Sequence, residues 1–248
     1  MPKNRIKFLN TYIDNVTMSE AVEYIDTMIQ HKKKGYVVTP NVDFIVRMEK
    51  DVQFQKIVEN ADLIVTDGKP LIWISKKIKT PIKEKISGSD LSPNIFRLAA
   101  KKGYTVFLLG GKEGVAEKAK MNMELKYPGI NIVGVYSPPF GFEKNLKEVN
   151  RINEMINNLS PDILLVCLGS PKQEMFIAKN INKYEACVSL AVGATIDFEA
   201  GTIKRAPKWI SNIGMEWFYR FLKEPKRLFK RYFVDDMKIF YLYRKYKD

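Results

Sequence analysis

Histidine, cysteine and long apolar runs are scarce in this chain of 248 residues, and each shortage removes a class of function. The one histidine, His31, stands beside three lysines at the end of a helical segment, where a solvated helix terminus accounts for it. Imidazole catalysis and histidine-rich metal sites are thereby excluded. The two cysteines, Cys167 and Cys187, lie inside the apolar runs DILLVCLG and ACVSLAVG, which suits buried, reduced thiols in a cytosolic protein rather than a disulfide. No apolar stretch reaches the roughly 20 residues of a membrane-spanning helix, and no basic-then-apolar leader precedes the first polar residues. Neither a secreted nor an integral protein is expected. Acids are also in deficit: 28 Asp and Glu face 41 Lys and Arg, for a net charge of +13. Such a surface favours an anionic partner, whether nucleic acid, a phosphorylated small molecule or an acidic membrane.

What is present is an alternation of short apolar runs with segments of helical spacing. GYVVTP, ADLIVTDG, GYTVFLLGG, INIVGVY, PDILLVCLG and ACVSLAVGA read as strands. Between them lie segments such as MSEAVEYIDTMIQHKK, opened by the capping box Thr17-Met18-Ser19-Glu20. Near-continuous apolar strands separated by helices predict an α/β fold, a mainly parallel, Rossmann-like sheet covered by helices on both faces. Ligands of such sheets gather beyond the carboxyl ends of the strands, so the polar residues there carry the functional information.

Composition changes after about residue 201. Residues 202–248 hold 13 Lys or Arg against 5 Asp or Glu, and the bases interleave with aromatics from Trp209 and Trp217 to Tyr246. Helical spacing broken by Pro207 and Pro225 predicts two or three short amphipathic helices. The expected organisation is therefore a catalytic α/β core, 1–201, with a basic amphipathic helical C-terminal appendage, 202–248.

Several strand ends carry groups that suit chemistry. In LLGGKEGV a strand enters Gly110-Gly111 and then a helix, an arrangement that either brings backbone amides to a phosphate or simply makes a tight turn. It is not a Walker motif, since no Gly-Lys-Ser/Thr follows at the required spacing. It also makes a poor dinucleotide fingerprint, because the next strand ends in Val135-Tyr136-Ser137 with no acid for ribose hydroxyls. Tyr136 either stacks on a base or is a plain surface tyrosine. In LGSPKQE, Gly169 permits an unusual backbone turn, and Gln173 can donate and accept as sugar hydroxyls require. Glu174 is either a site residue or an acid balancing the helix dipole. Asp197-Phe198-Glu199 is a loose acid-any-acid pattern that equally suits a structural turn, and no metal or other cofactor is called for. Asp67, after the apolar run ADLIV, is either a turn cap or a carboxylate at the crevice rim beside Thr39 and Asn41. There it would act as a general base, the natural choice in a chain without a usable histidine.

TPNVDFIV, ADLIVTDGKPLIW, GSDL, LLGG, LGSPKQE, VGATIDFEAGTIKRAPKWI and GMEWFYRFLKEPKRLFKRY, in this order from about Asn41 to Tyr232, resemble the WecG/TagA/CpsF glycosyltransferases of bacterial surface-polysaccharide and wall teichoic acid synthesis. The resemblance implies an inverting transfer of a sugar, often N-acetylmannosamine or its uronic acid, from a UDP donor. The acceptor it implies is N-acetylglucosamine on a polyprenyl diphosphate at the inner face of the cytoplasmic membrane. Carried over, Asp67 is the base, Thr39, Asn41 and Gln173 line the sugar site, and Gly110, Gly111 and Asp197 lie near UDP. One departure is Glu84-Lys85, where the family commonly has Glu-Arg; Lys85 keeps the charge for a diphosphate without the planar fork of arginine. The appendage, including Arg205, Arg220, Arg227 and Arg231, is then expected to dock on an anionic membrane and close over the lipid diphosphate. Rival readings are an NAD-dependent oxidoreductase, a nucleic-acid-binding protein, for which no recognition-fold signature is present, and an idle assembly partner. Homo-oligomerisation is compatible with the Met-rich and aromatic surfaces, with no spacing that selects a stoichiometry.

Overall fold

A computed structural model describes residues 4–207, 210 and 214–247, apart from the side chain of Arg227; Trp209 lies outside the described residues. The chain opens with a hairpin, β1 (Arg5–Phe8) and β2 (Thr11–Asp14). It then forms α1 (Met18–Gln30), β3 (Gly35–Val38), α2 (Val42–Met48), α3 (Val52–Glu59), β4 (Leu63–Ile64), α4 (Lys69–Lys77) and α5 (Gly88–Lys102). Next come β5 (Thr105–Gly110), α6 (Val115–Lys126), β6 (Asn131–Tyr136), α7 (Leu146–Leu159), β7 (Ile163–Cys167), α8 (Lys172–Asn180), β8 (Val188–Ala191) and α9 (Thr195–Glu199). The C-terminal segment contains α10 (Glu216–Lys223), α11 (Pro225–Lys230), a π-helical turn at Arg231–Asp235 and α12 (Ile239–Tyr246).

All six strands expected from the apolar runs form one parallel sheet, in the order β4-β3-β8-β7-β5-β6. Strand periodicity sends alternate residues to opposite faces. Along β7, Ile163, Leu165 and Cys167 enter one apolar cluster while Leu164 and Val166 enter the other. The first cluster packs against α1, α5, α6 and α9, and the second against α2, α3, α7 and α8. The predicted capping box opens α1: Thr17 Oγ1 accepts from the Glu20 amide and Glu20 Oε2 accepts from the Thr17 amide, 2.6 Å away. Cys167 and Cys187 are free thiols, and exposed His31 caps the C-terminus of α1.

The chain leaves β3 into α2 on one face and leaves neighbouring β8 into α9 on the other. Loops diverging from adjacent parallel strands open a crevice at their carboxyl ends, and this is the switch point of the sheet. The C-terminal segment is tied back to the same body. Ile239 and Leu242 of α12 are buried in the cluster that contains α2, and Glu49 accepts from Lys245 at 2.6 Å and from Tyr246 at 3.0 Å. Around α10 and α11 the aromatics pack against one another, Phe221 and Phe233 meeting edge to face with ring centres 5.2 Å apart. No helix among the described residues is long and apolar enough to cross a membrane.

Candidate active site

Backbone hydrogen bonds join the loops beyond β3 and β4, and the Gln173 side chain joins those beyond β7 and β8, so residues far apart in sequence meet at the carboxyl ends of the strands. The Asp67 amide donates to Pro40 O at 2.8 Å, tying the end of β4 to the loop after β3, and the Ile86 amide donates to Thr66 O at 2.8 Å. Thr39 is buried at the end of β3. Asn41 caps α2, its Oδ1 accepting from the Phe44 amide at 3.3 Å.

Asp67 does not serve as a turn cap. The residue capping α4 is Gly68, whose φ of 98° is open to glycine at little cost, and no side chain caps that helix. The Asp67 carboxylate accepts no hydrogen bond among the described residues, yet keeps part of its surface open to solvent. Burial pushes its pKa up to about 6; Lys85 and Arg220 oppose that shift, while Glu216 and Asp90 reinforce it. An acid whose local structure gives it no work and whose basicity is raised is what a general base requires.

Lys85 belongs to a compact charged group at the N-terminus of α5. Lys85 Nζ donates to Asp90 Oδ2 at 2.5 Å, Ser87 Oγ donates to the same oxygen at 2.7 Å, and Arg205 pairs with Asp90 Oδ1 while donating to Ser89 O at 3.0 Å. Burial works against the charge on Asp90, but the bonds from Lys85 and Ser87 prevail and hold its pKa down to about 2. Two cations from distant segments of the chain are thus gathered on one carboxylate whose charge is felt at Asp67. Arg220 of α10 reaches the same neighbourhood through its field on Asp67, whereas Arg231 lies 4.0 Å from Asp43 of α2.

The turn from β7 into α8 supplies Gln173, which is buried, its Oε1 accepting from the Gly193 amide at 3.1 Å and its Nε2 donating to Glu174 Oε1 at 2.6 Å. Glu174 is fully buried, and burial raises its pKa to about 7 against the bond from Gln173, the proximity of its own amide and the Ser170 hydroxyl, and the charge of Arg47; its Oε2 has no hydrogen-bond partner among the described residues. Glu174 stands in the first turn of α8, where an acid can balance the dipole, and its side chain is aimed inward at Gln173.

On the other side of the crevice, Gly110 has φ 127°, and a Cβ there would stand 2.3 Å from Cys167 O of β7. Close strand packing therefore requires this glycine whatever ligand binds. Gly111, with φ 77°, turns the chain toward Lys112. Asp197, in α9, has its carboxyl raised by burial, while Thr202 and Lys112 draw it down and Glu224 raises it. Glu199 turns away from Asp197 and accepts from Lys126 at 2.8 Å. Tyr136 sits on edge strand β6 next to the Gly-Gly turn, bonded to Glu148 and covered by Arg151 5.4 Å from its ring centre, apart from the Asp67 group.

Asp90 and Glu216 were not singled out from the sequence, although GSDL and GMEWF contain them; their significance lies in their neighbours, which only folding supplies.

The profile of the family described as Glycosyl transferase WecG/TagA/CpsF matches residues 6–248. Among similar proteins, one from Bacillus spizizenii is 29% identical over 226 residues, 91% of this chain and 84% of its own. A Bacillus subtilis protein is 28% identical over 86% of this chain and 81% of its own, and one from Staphylococcus aureus 29% identical over 90% and 87%. All three carry the name N-acetylglucosaminyldiphosphoundecaprenol N-acetyl-beta-D-mannosaminyltransferase.

Proposed function

This chain belongs to the glycosyl transferase WecG/TagA/CpsF family, and on that premise we propose that it moves N-acetylmannosamine, or its uronic acid, from a UDP donor to N-acetylglucosamine on a polyprenyl diphosphate. The names of the similar proteins supply the sugar and the lipid-linked acceptor, and Lys85 and Arg205, gathered on Asp90 at the crevice, are cations that suit a nucleotide diphosphate. The observation that carries the catalytic assignment is Asp67, a carboxylate at the crevice with a pKa of about 6 and no capping duty.

In this reading an acceptor hydroxyl attacks the anomeric carbon, its proton passes to Asp67, and the bond from that carbon to the diphosphate oxygen breaks. UDP leaves with the electron pair, and one displacement inverts the anomeric configuration. Lys85 and Arg205 offset the charge that develops on the departing diphosphate. Thr39, Asn41 and Gln173 border the sugar, and the Gly110-Gly111 turn and Asp197 border the nucleotide. The acceptor lipid is confined to a membrane, and the exposed aromatics Phe229, Phe240 and Tyr241 with the bases around them suit contact with an anionic surface. On this reading the enzyme works peripherally at the inner face of the cytoplasmic membrane, where its acceptor lipid would be met.

The test is UDP release from UDP-N-acetylmannosamine with a short-chain lipid diphosphate bearing N-acetylglucosamine. Asp67→Asn is expected to bind UDP-sugar as before and to lose roughly 10²–10⁴-fold in turnover, the usual worth of general base catalysis. Turnover near the native rate in Asp67→Asn removes Asp67 as the base. Absence of UDP binding by the native protein removes the donor assignment.

A further inference from the structure

We propose that Glu174 is a positioning residue of the crevice, acting through Gln173 to hold the Gly193 turn in place; its functional half rests on the crevice being the UDP-sugar site. A backbone amide can only donate, so the Gly193 N–H requires the oxygen of the Gln173 side chain, which stands 3.1 Å away. That choice turns Nε2 of Gln173 in the opposite direction. Gln173 is 3% exposed, so solvent is a poor partner for the nitrogen, and an acceptor must come from the protein. Glu174 Oε1, 2.6 Å away on a side chain with no exposed surface, is that acceptor.

The contact does not depend on charge. The groups that act on the Glu174 carboxyl are Gln173, its own amide and Ser170 on its own turn, with Arg47 from α2. Whether or not a proton resides on Oε2, Oε1 retains a lone pair for Gln173. Gly193, with φ 61°, begins the turn into α9, which carries Asp197 toward the crevice. The chain of constraint therefore runs from a buried acid on one face of the sheet, through an amide, to a helix on the other face that borders the proposed nucleotide. A plain buried helix-terminal acid would have no such directional effect.

The experiment compares Glu174→Met, which fills the volume without an acceptor, with Glu174→Gln, which retains a carbonyl oxygen. Amide hydrogen exchange at Gly193, read by NMR in the full-length protein, is expected to accelerate roughly 10-fold in Glu174→Met and to return to near the native rate in Glu174→Gln. In the same pair the KM for UDP-sugar is expected to rise roughly 10-fold and to be restored. Gln173→Met reads the contact from its other side, and the double variant is expected to cost no more than Gln173→Met alone. Native exchange at Gly193 in a folded Glu174→Met protein overturns the proposal, as does a double variant whose cost is the product of the two single costs. Should Glu174→Met fail to fold, native Gly193 exchange in Gln173→Met overturns it equally. If the native protein binds no UDP, the donor-site reading fails and with it the role in KM, while the exchange measurement still decides the contact.

Discussion

At the scale of single residues, the sign of two pKa shifts makes two opposite predictions. Asp67 titrates near 6 in the fold, above the ordinary carboxylate value, so its ionised form is disfavoured by folding. The folded state binds the extra proton between about pH 4 and 6, and stability falls as pH rises through that window. Asp67→Asn removes this cost and should raise the thermal midpoint at pH 7.5, by about 1 kcal/mol of stability, while turnover falls roughly 10²–10⁴-fold. For the native enzyme kcat/KM should climb with pH through about 6 and level off above it; a flat profile between pH 5 and 7 contradicts Asp67 as the base. Asp90 is the reverse case. Held down to about 2 by Lys85 and Ser87, it adds stability that is present above about pH 4 and lost as pH falls toward 2. Asp90→Asn should therefore destabilise the protein at neutral pH and not at pH 2, measured by urea unfolding. The residue types for such roles are visible in the sequence, but a raised or lowered pKa is a property of neighbours, and Lys85, Glu216 and Arg220 meet Asp67 only after folding.

Among elements, the strands of the sheet were legible because each is an apolar run between turn signals, buried on both faces. β4 is the exception in length: the run ADLIVTDG suggests a longer strand, but the regular ladder covers only Leu63–Ile64, beyond which the Val65 and Asp67 amides donate singly to Val38 O and Pro40 O. The β1–β2 hairpin was not anticipated. Its strands are four residues each, and Leu9 takes φ 51° at the turn, a conformation for which the sequence carries no Asn-Gly or Gly signal. The Gly-Gly turn after β5 has a structural requirement as well as a proposed ligand. Gly110→Ala places a methyl against Cys167 O and should cost roughly 2–4 kcal/mol, read from the urea midpoint. A loss below about 0.5 kcal/mol would show that β5 and β7 separate freely.

For the whole molecule, the net charge of +13 is concentrated toward the C-terminus, and association with anionic vesicles should decline steeply between 0.1 and 1 M salt as screening shortens to about 3 Å. Truncation at residue 201 is a poor probe of that surface, since it also uncovers the core around Ile239 and Leu242. Reversing exposed Lys226 and Lys230 to Glu leaves the core intact and should weaken sedimentation with the vesicles; binding that ignores both salt and these reversals contradicts a membrane-facing appendage. The sequence by itself determined the fold class, the family and the set of polar strand ends, because hydrophobic periodicity and contiguous motifs are local properties. Tertiary structure alone decided which of those ends meet. It brought Lys85 and Arg205 onto Asp90, put the charges of Glu216 and Arg220 within reach of Asp67 and turned Glu174 inward onto Gln173, while leaving Tyr136 at the sheet edge. Strand order governs such meetings, and strand order depends on how crossovers pack their apolar faces, a long-range competition that no short stretch of residues records.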